Sequence, residues 1–147
     1  MKFGTQEWAN AYIDALNGNA NYKAAASWWE GDFLFIITPS GNLDHEIRMY
    51  IGLNHGDCTG AKVLDPGDSY TLLKPGEKAS GSGIEVEYVF SGDYENWVKV
   101  LKQELDPIRG LLAGNFRLEG DMAKVLRATK AAQELVISTT LFDTEFY

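Results

Sequence analysis

The stretch "DPIRGLLAGNFRLEGDMAKVL", residues 106 to 126, decides how the chain is read. Asp106 followed by Pro107 is an N-cap with a proline at the first helical position, and Gly114 stops the short helix that follows. "NFRLEG", residues 115 to 120, is a small extended piece. Asp121 caps a last long helix, with Met122, Val125, Leu126, Thr129 and Leu135 on one side. Nearly every position expected to face inward is apolar, and no side chain in the stretch is chemically reactive.

Upstream, Ser91 or Asp93 caps a helix whose apolar stripe is Trp97, Val98, Leu101 and Leu105. "GIEVEYVF", residues 83 to 90, alternates cleanly. That predicts one strand with Ile84, Val86, Tyr88 and Phe90 on one face and Glu85 and Glu87 toward water. Residues 65 to 83 are irregular, with a brief "YTLL" strand between two turns and mobility expected over 78 to 83. "EIRMYIGLN", 46 to 54, places Ile47, Met49, Ile51 and Leu53 opposite Arg48, Tyr50 and Asn54, and a tight turn joins it to "CTGAKVL" as a hairpin. "DFLFIIT", 32 to 38, is apolar on both faces, so it is a strand covered on both sides or lining a cavity on one. At the start, Thr5 caps a helix carrying Trp8, Tyr12 and Leu16, and Asn21 caps a second through "YKAAASWW".

A chain of 147 residues suits one domain, 1–147, able to bury roughly 70% of its unfolded surface. Thirteen basic against 21 acidic residues give a net charge of -8. Such a surface repels phosphate backbones and anionic bilayers, so nucleic-acid binding and stable membrane insertion are not expected. One cysteine forbids an intrachain disulfide, and "MKFGTQEW" carries no secretory h-region. A cytoplasmic protein is the expectation.

Candidates for chemistry are few. His55, Asp57 and Cys58 sit close in sequence, but neighbours on a strand point to opposite faces and cannot readily share an ion. "SGSG", 80 to 83, precedes a strand and lacks the lysine of a phosphate loop. No nucleophile stands beside a histidine oriented by a carboxylate. The positive signal is bulk. Trp28, Trp29, Phe33, Phe35, Trp97 and Phe116 exceed what a small sheet with a few helices needs, though periodicity alone does not separate a filled core from a hollow one.

The run from "VFSGDYENWVKVLKQELDP" through "IRGLLAGNFRLEGDMAKVLRA" resembles the signature half of the sterol carrier protein family. The elements that carry the likeness are Gly114, "FRLEGD" at 116 to 121 and the helix "MAKVLRATKAAQEL". The upstream order of helix, strand, turn, strand, turn, strand is also similar. The resemblance implies an α+β fold in which helices pack on one face of a five-stranded, mostly antiparallel sheet and enclose an apolar tunnel. It implies non-catalytic binding or transfer of an elongated apolar ligand such as a fatty acid, an acyl-CoA or a related lipid, with no cofactor and no metal. The alternative is a filled core serving a homodimer or an accessory interaction, for which the apolar tail "LFDTEFY" would form the patch.

On that reading the ligand-lining candidates are Trp29, Phe33 and Phe35 near the first strand, and Met49 and Ile51 on the second. Tyr88 and Phe90 follow on the strand before the signature, Trp97 and Leu101 on the next helix, and Met122, Val125 and Leu126 on the last. Arg109 or Arg117 is a candidate for holding a carboxylate head group.

Overall fold

Apolar alternation and helix caps account for most of the architecture. The computed structural model describes residues 1–147. Helix α1 (Gln6–Gly18) starts where the Thr5 hydroxyl accepts the Trp8 N–H, and it buries Trp8, Ala9, Tyr12 and Leu16. Helix α2 (Ala20–Ala25) follows with a single residue between. Its cap is Asn19, not Asn21: the Asn19 side chain accepts the N–H groups of Asn21 and Tyr22, while its own N–H closes α1 on Leu16 O. One residue ends the first helix and begins the second, which leaves Asn21 inside α2.

The strands in chain order are β1 (Phe33–Thr38), β2 (Ile47–Asn54), β3 (Asp57–Val63), β4 (Tyr70–Leu72), β5 (Ile84–Val86), β6 (Tyr88–Asp93) and β7 (Phe116–Glu119). Five of them form the main sheet in the order β3-β2-β1-β6-β7. Every pairing is antiparallel except β1 with β6, which sets Phe33 beside Tyr88 and Phe35 beside Phe90. The remaining two, β4 and β5, make a small parallel pair on the other face.

Period two on β1 divides the interior. Phe33, Phe35 and Ile37 join a cluster of 28 buried residues under the helices. Leu34 turns the other way, into a small cluster with Leu64, Val86 and Val89 beneath β4 and β5. The strand is therefore covered on both sides, one of the two arrangements its doubly apolar sequence allows.

"GIEVEYVF" does not form one strand. The chain kinks at Glu87, where the N–H groups of Glu87 and Tyr88 both donate to Asp32 O and the Glu87 carboxylate accepts the Asp32 N–H at 2.7 Å. Two successive amides drawn to one carbonyl pinch the backbone and interrupt the alternation. Val86 consequently joins the small cluster, whereas Tyr88 and Phe90 join the large one.

Helix α3 (Tyr94–Leu101) is capped by Asp93 and buries Tyr94, Trp97 and Val100. Of the expected stripe Trp97 is buried and Val98, Leu101 and Leu105 are half-buried against the same core, with Leu105 beyond the helix end. Helix α4 (Pro107–Ala113) has the expected Asp106 cap and proline start, and it ends at Gly114 in the left-handed region, φ 88°. The last long helix is two: α5 (Met122–Arg127) and α6 (Thr129–Ser138). Neither glycine nor proline breaks it. The Thr129 hydroxyl donates to Leu126 O, the carbonyl a continuous helix would offer to the Lys130 N–H, and Ala128 N–H bonds to Val125 O instead of Lys124 O. The joint carries no side-chain cap.

A 3-10 turn, Thr139–Leu141, leads into the tail. Phe142 packs on Trp8 and Tyr12, Phe146 on Phe3, and Tyr147 on Tyr94. The backbone of Glu145 bonds both Met1 and Phe3, so the aromatic tail lies on the chain's own N-terminus. No helix is long and apolar enough to cross a membrane.

Candidate functional site

The aromatic excess of the sequence gathers at the seam between the sheet and the helices. Phe33, Phe35 and Ile37 of β1, Met49 of β2 and Phe90 of β6 form a floor. Trp8 and Tyr12 of α1, Trp97 and Val100 of α3, and Leu135 and Val136 of α6 form the opposite wall. Rings meet edge to face, Phe35 to Trp97 at 63° and Phe90 to Trp97 at 79°. They enclose a hollow of about 90 Å³. A second hollow of about 40 Å³ lies toward Tyr22, Trp29 and Leu53. Phe33, Val125, Ala132 and Leu135 border both, so four side chains divide one seam into two chambers.

The seam is chemically inert. Sixteen of the 18 residues around the larger hollow are hydrophobic, and the polar atoms among them are already engaged. Tyr12 donates to Leu135 O at 2.8 Å, Thr139 to Val136 O at 2.7 Å, and the Trp97 N–H to Ile36 O and Gly92 O. Burial holds the Tyr12 hydroxyl far above its ordinary range, with Tyr22 and Cys58 adding to the effect. The Cys58 thiol, also buried, is pushed up to about 11, which keeps it protonated and unreactive near neutral pH. These walls offer a ligand apolar contact and neither a proton, a nucleophile nor a free hydrogen bond.

The seam gathers many of the sequence candidates. Phe33, Phe35, Met49, Phe90, Trp97, Leu101 and Val125 border the larger hollow, and Trp29 the smaller. Four others border neither. Ile51 is fully packed within the core, and Tyr88 lies behind Phe33, stacked on it at 4.9 Å. Met122 and Leu126 project outward, 39% and 36% exposed, while Val125, Ala128 and Ala131 are the buried positions of this stretch. Arg109 and Arg117 are exposed and border neither chamber.

Trp8, Tyr12, Ile37, Val100, Ile108, Leu135 and Val136 also line the larger hollow and lie outside the set expected from the sequence. Leu135 and Tyr12 were visible as inward positions of their helices. What periodicity does not carry is which inward face crosses the hollow rather than the solid core.

The signature glycine has a packing cause. Gly120 sits at φ 131°, and a Cβ there would lie 2.5 Å from the Tyr88 ring and 2.8 Å from Glu87 O. The turn after β7 therefore closes against Tyr88 only with glycine at this place. On the outer side Lys124 covers the Trp29 ring at 4.6 Å and donates to Glu30 O, so α5 is tied to the loop before β1.

Comparison with known proteins places this geometry. The pattern of the SCP-2 sterol transfer family matches residues 13–133. No curated protein matches the chain. Among solved structures, a crystal structure of sterol carrier protein 2 is 30% identical, with 94% of this chain and 97% of that one covered and a TM-score of 0.75. A solution structure of a conserved hypothetical protein from Thermus thermophilus, described as a candidate sterol carrier protein, is 29% identical over 99% of this chain and 92% of that one, TM-score 0.78. Sterol carrier protein 2 from Yarrowia lipolytica in its apo form, 10% identical over 92% and 91% of the two chains, shares the fold at a TM-score of 0.53.

Proposed function

The chain belongs to the SCP-2 sterol transfer family, and from that membership we propose that it is a non-catalytic carrier which holds the apolar chain of a lipid in the seam between sheet and helices. The observation that carries the reading is the seam itself, a pair of adjoining hollows walled almost wholly by hydrocarbon and aromatic rings. Burial supplies the affinity. Each methylene moved out of water contributes about 0.8 kcal/mol, so a 12-carbon chain gains ~10 kcal/mol before the costs of ordering are subtracted. The contacts we assign to the ligand are Phe33, Phe35, Met49, Phe90, Val125 and Leu135.

In the closed conformation the larger hollow, about 90 Å³, is smaller than the ~150 Å³ that accommodates one benzene. Binding therefore widens the seam. The element that yields is the α5–α6 pair. Its joint at Ala128 is uncapped, helices of six and ten residues are marginal alone, and its side of the partition is made of Val125, Ala132 and Leu135. Moving it merges the two chambers into one elongated space, a minor state that a ligand selects.

Titration with a fluorescent long-chain alkyl probe tests the reading. Saturable one-to-one binding is expected for the native chain and loss of binding for Val125→Trp, which fills the partition, with the melting temperature retained. Absence of saturable binding by the native chain overturns the carrier.

A further inference from the structure

A surface cleft of about 230 Å³ lies between the end of α3, the start of α4 and the middle of α6. Val100, Pro107 and Val136 border both this cleft and the larger hollow. A wall one side chain thick thus separates the outside from the interior here. The rim is unlike the interior: it carries the exposed amides of Gln103 and Gln133, the Asp106 carboxylate, and apolar Leu105 and Ile137. No lysine or arginine lines it. Asp106 already accepts the N–H groups of Ile108 and Arg109 at 3.0 Å, so its charge is fixed at the rim by the helix it caps.

An anion and two amides form a poor seat for a carboxylate or a phosphate, which would meet like charge with no cation to offset it. The same groups suit a hydroxyl or carbonyl, since an amide both donates and accepts. We propose that this cleft is the portal to the seam and that it selects lipids with an uncharged, hydrogen-bonding head, such as a long-chain alcohol, over ionised fatty acids and acyl-CoA. The inference rests on the carrier reading above and narrows its ligand class. The apolar chain passes between Val100, Pro107 and Val136, and the neutral head stays between the two glutamines.

Dodecanol and dodecanoate, which share one alkyl length, are competed at pH 8 against a neutral fluorescent alkyl probe on the full chain. Equal burial leaves the head group as the main difference. The alcohol is expected to bind about tenfold tighter. Gln133→Lys places a cation on the exposed rim and is expected to bring the carboxylate to within roughly threefold of the alcohol, whereas Thr71→Lys, on the opposite face of the sheet, leaves the ratio unchanged. Unchanged melting temperatures keep both variants interpretable. Equal binding of the two ligands, with a ratio that Gln133→Lys does not move, overturns the portal and leaves the carrier standing. Tighter binding of the carboxylate by the native chain overturns the selection. Binding of neither ligand overturns the carrier, and the portal with it.

Discussion

The two sides of β1 are packed from different materials. Toward β4 and β5, Leu34 and Val86 are fully buried and meet Leu64 and Val89 in a compact aliphatic layer. Toward the helices, Phe33 and Phe35 face Trp97, Phe90 and Met49, and between those rings lie the two hollows. Branched aliphatic side chains interdigitate to near crystal density, whereas large planar rings meeting at steep angles leave gaps that no neighbour is shaped to fill. The difference teaches that one strand can anchor the fold with its even-numbered residues and leave the odd-numbered ones to form a space.

The contrast is broken most forcefully at Leu34. Leu34→Ala is expected to cost ~2–5 kcal/mol in urea unfolding, since it opens a cavity in the filled layer, and to leave alkyl-probe affinity per folded molecule unchanged. A loss below about 1 kcal/mol, or a loss of binding without a loss of stability, would erase the distinction between the two sides.

Cys58, buried in the core on the helix side but bordering neither hollow, reports whether that core excludes water. With its thiol pushed up to about 11 from an ordinary 9, the thiolate fraction at pH 8 falls about a hundredfold, and alkylation should slow by that factor. Labelling at the rate of a free cysteine would mean that this interior stands open to water.

One substitution made on both sides sharpens the comparison. Val89→Phe overpacks the aliphatic layer and is expected to destabilise by ~1–3 kcal/mol. Val125→Phe, which grows into the hollows, is expected to change stability by less than about 1 kcal/mol while it weakens probe binding. Equal costs at the two valines would show that the hollows are not real space.

The smallest effect concerns His55, on the exposed turn between β2 and β3. Its Nδ1 faces Ser27 O at 2.8 Å and its Nε2 faces the Glu30 carboxylate at 2.6 Å. The Ser27 carbonyl first and Glu30 second raise its pKa above the ordinary 6.5. The folded value exceeds the unfolded one, so the imidazolium's contribution is complete below pH 6.5 and fades as pH rises through the folded value. The ring is exposed, so the gain is slight. An NMR titration should place His55 above 6.5, and Glu30→Gln should lower it; a native midpoint at or below 6.5 contradicts this.

The Thr5, Asp106 and Asp121 caps, the hairpin and the apolar character of both faces of β1 were legible because caps and period two act over a few residues. The kink at Glu87 was not, since it depends on Asp32, 55 residues earlier, offering one carbonyl to two amides. Nor was the break at Ala128, which neither glycine nor proline marks and where the Thr129 hydroxyl takes the Leu126 carbonyl. Four of the twelve lining candidates, Phe33, Phe35, Met49 and Phe90, reach the larger hollow from β1, β2 and β6, where alternation fixes their side. The helical half was harder to place, because a helix's inward face shifts with every residue of its boundary.

The central claim is that a lipid chain enters the aromatic side of β1 and not the aliphatic one. Nuclear Overhauser contacts between bound dodecanol and methyl-labelled protein test it directly. The account predicts contacts to the methyl groups of Met49, Val125 and Leu135; contacts to Leu34, Val86 and Val89, or none anywhere in the interior, would contradict it.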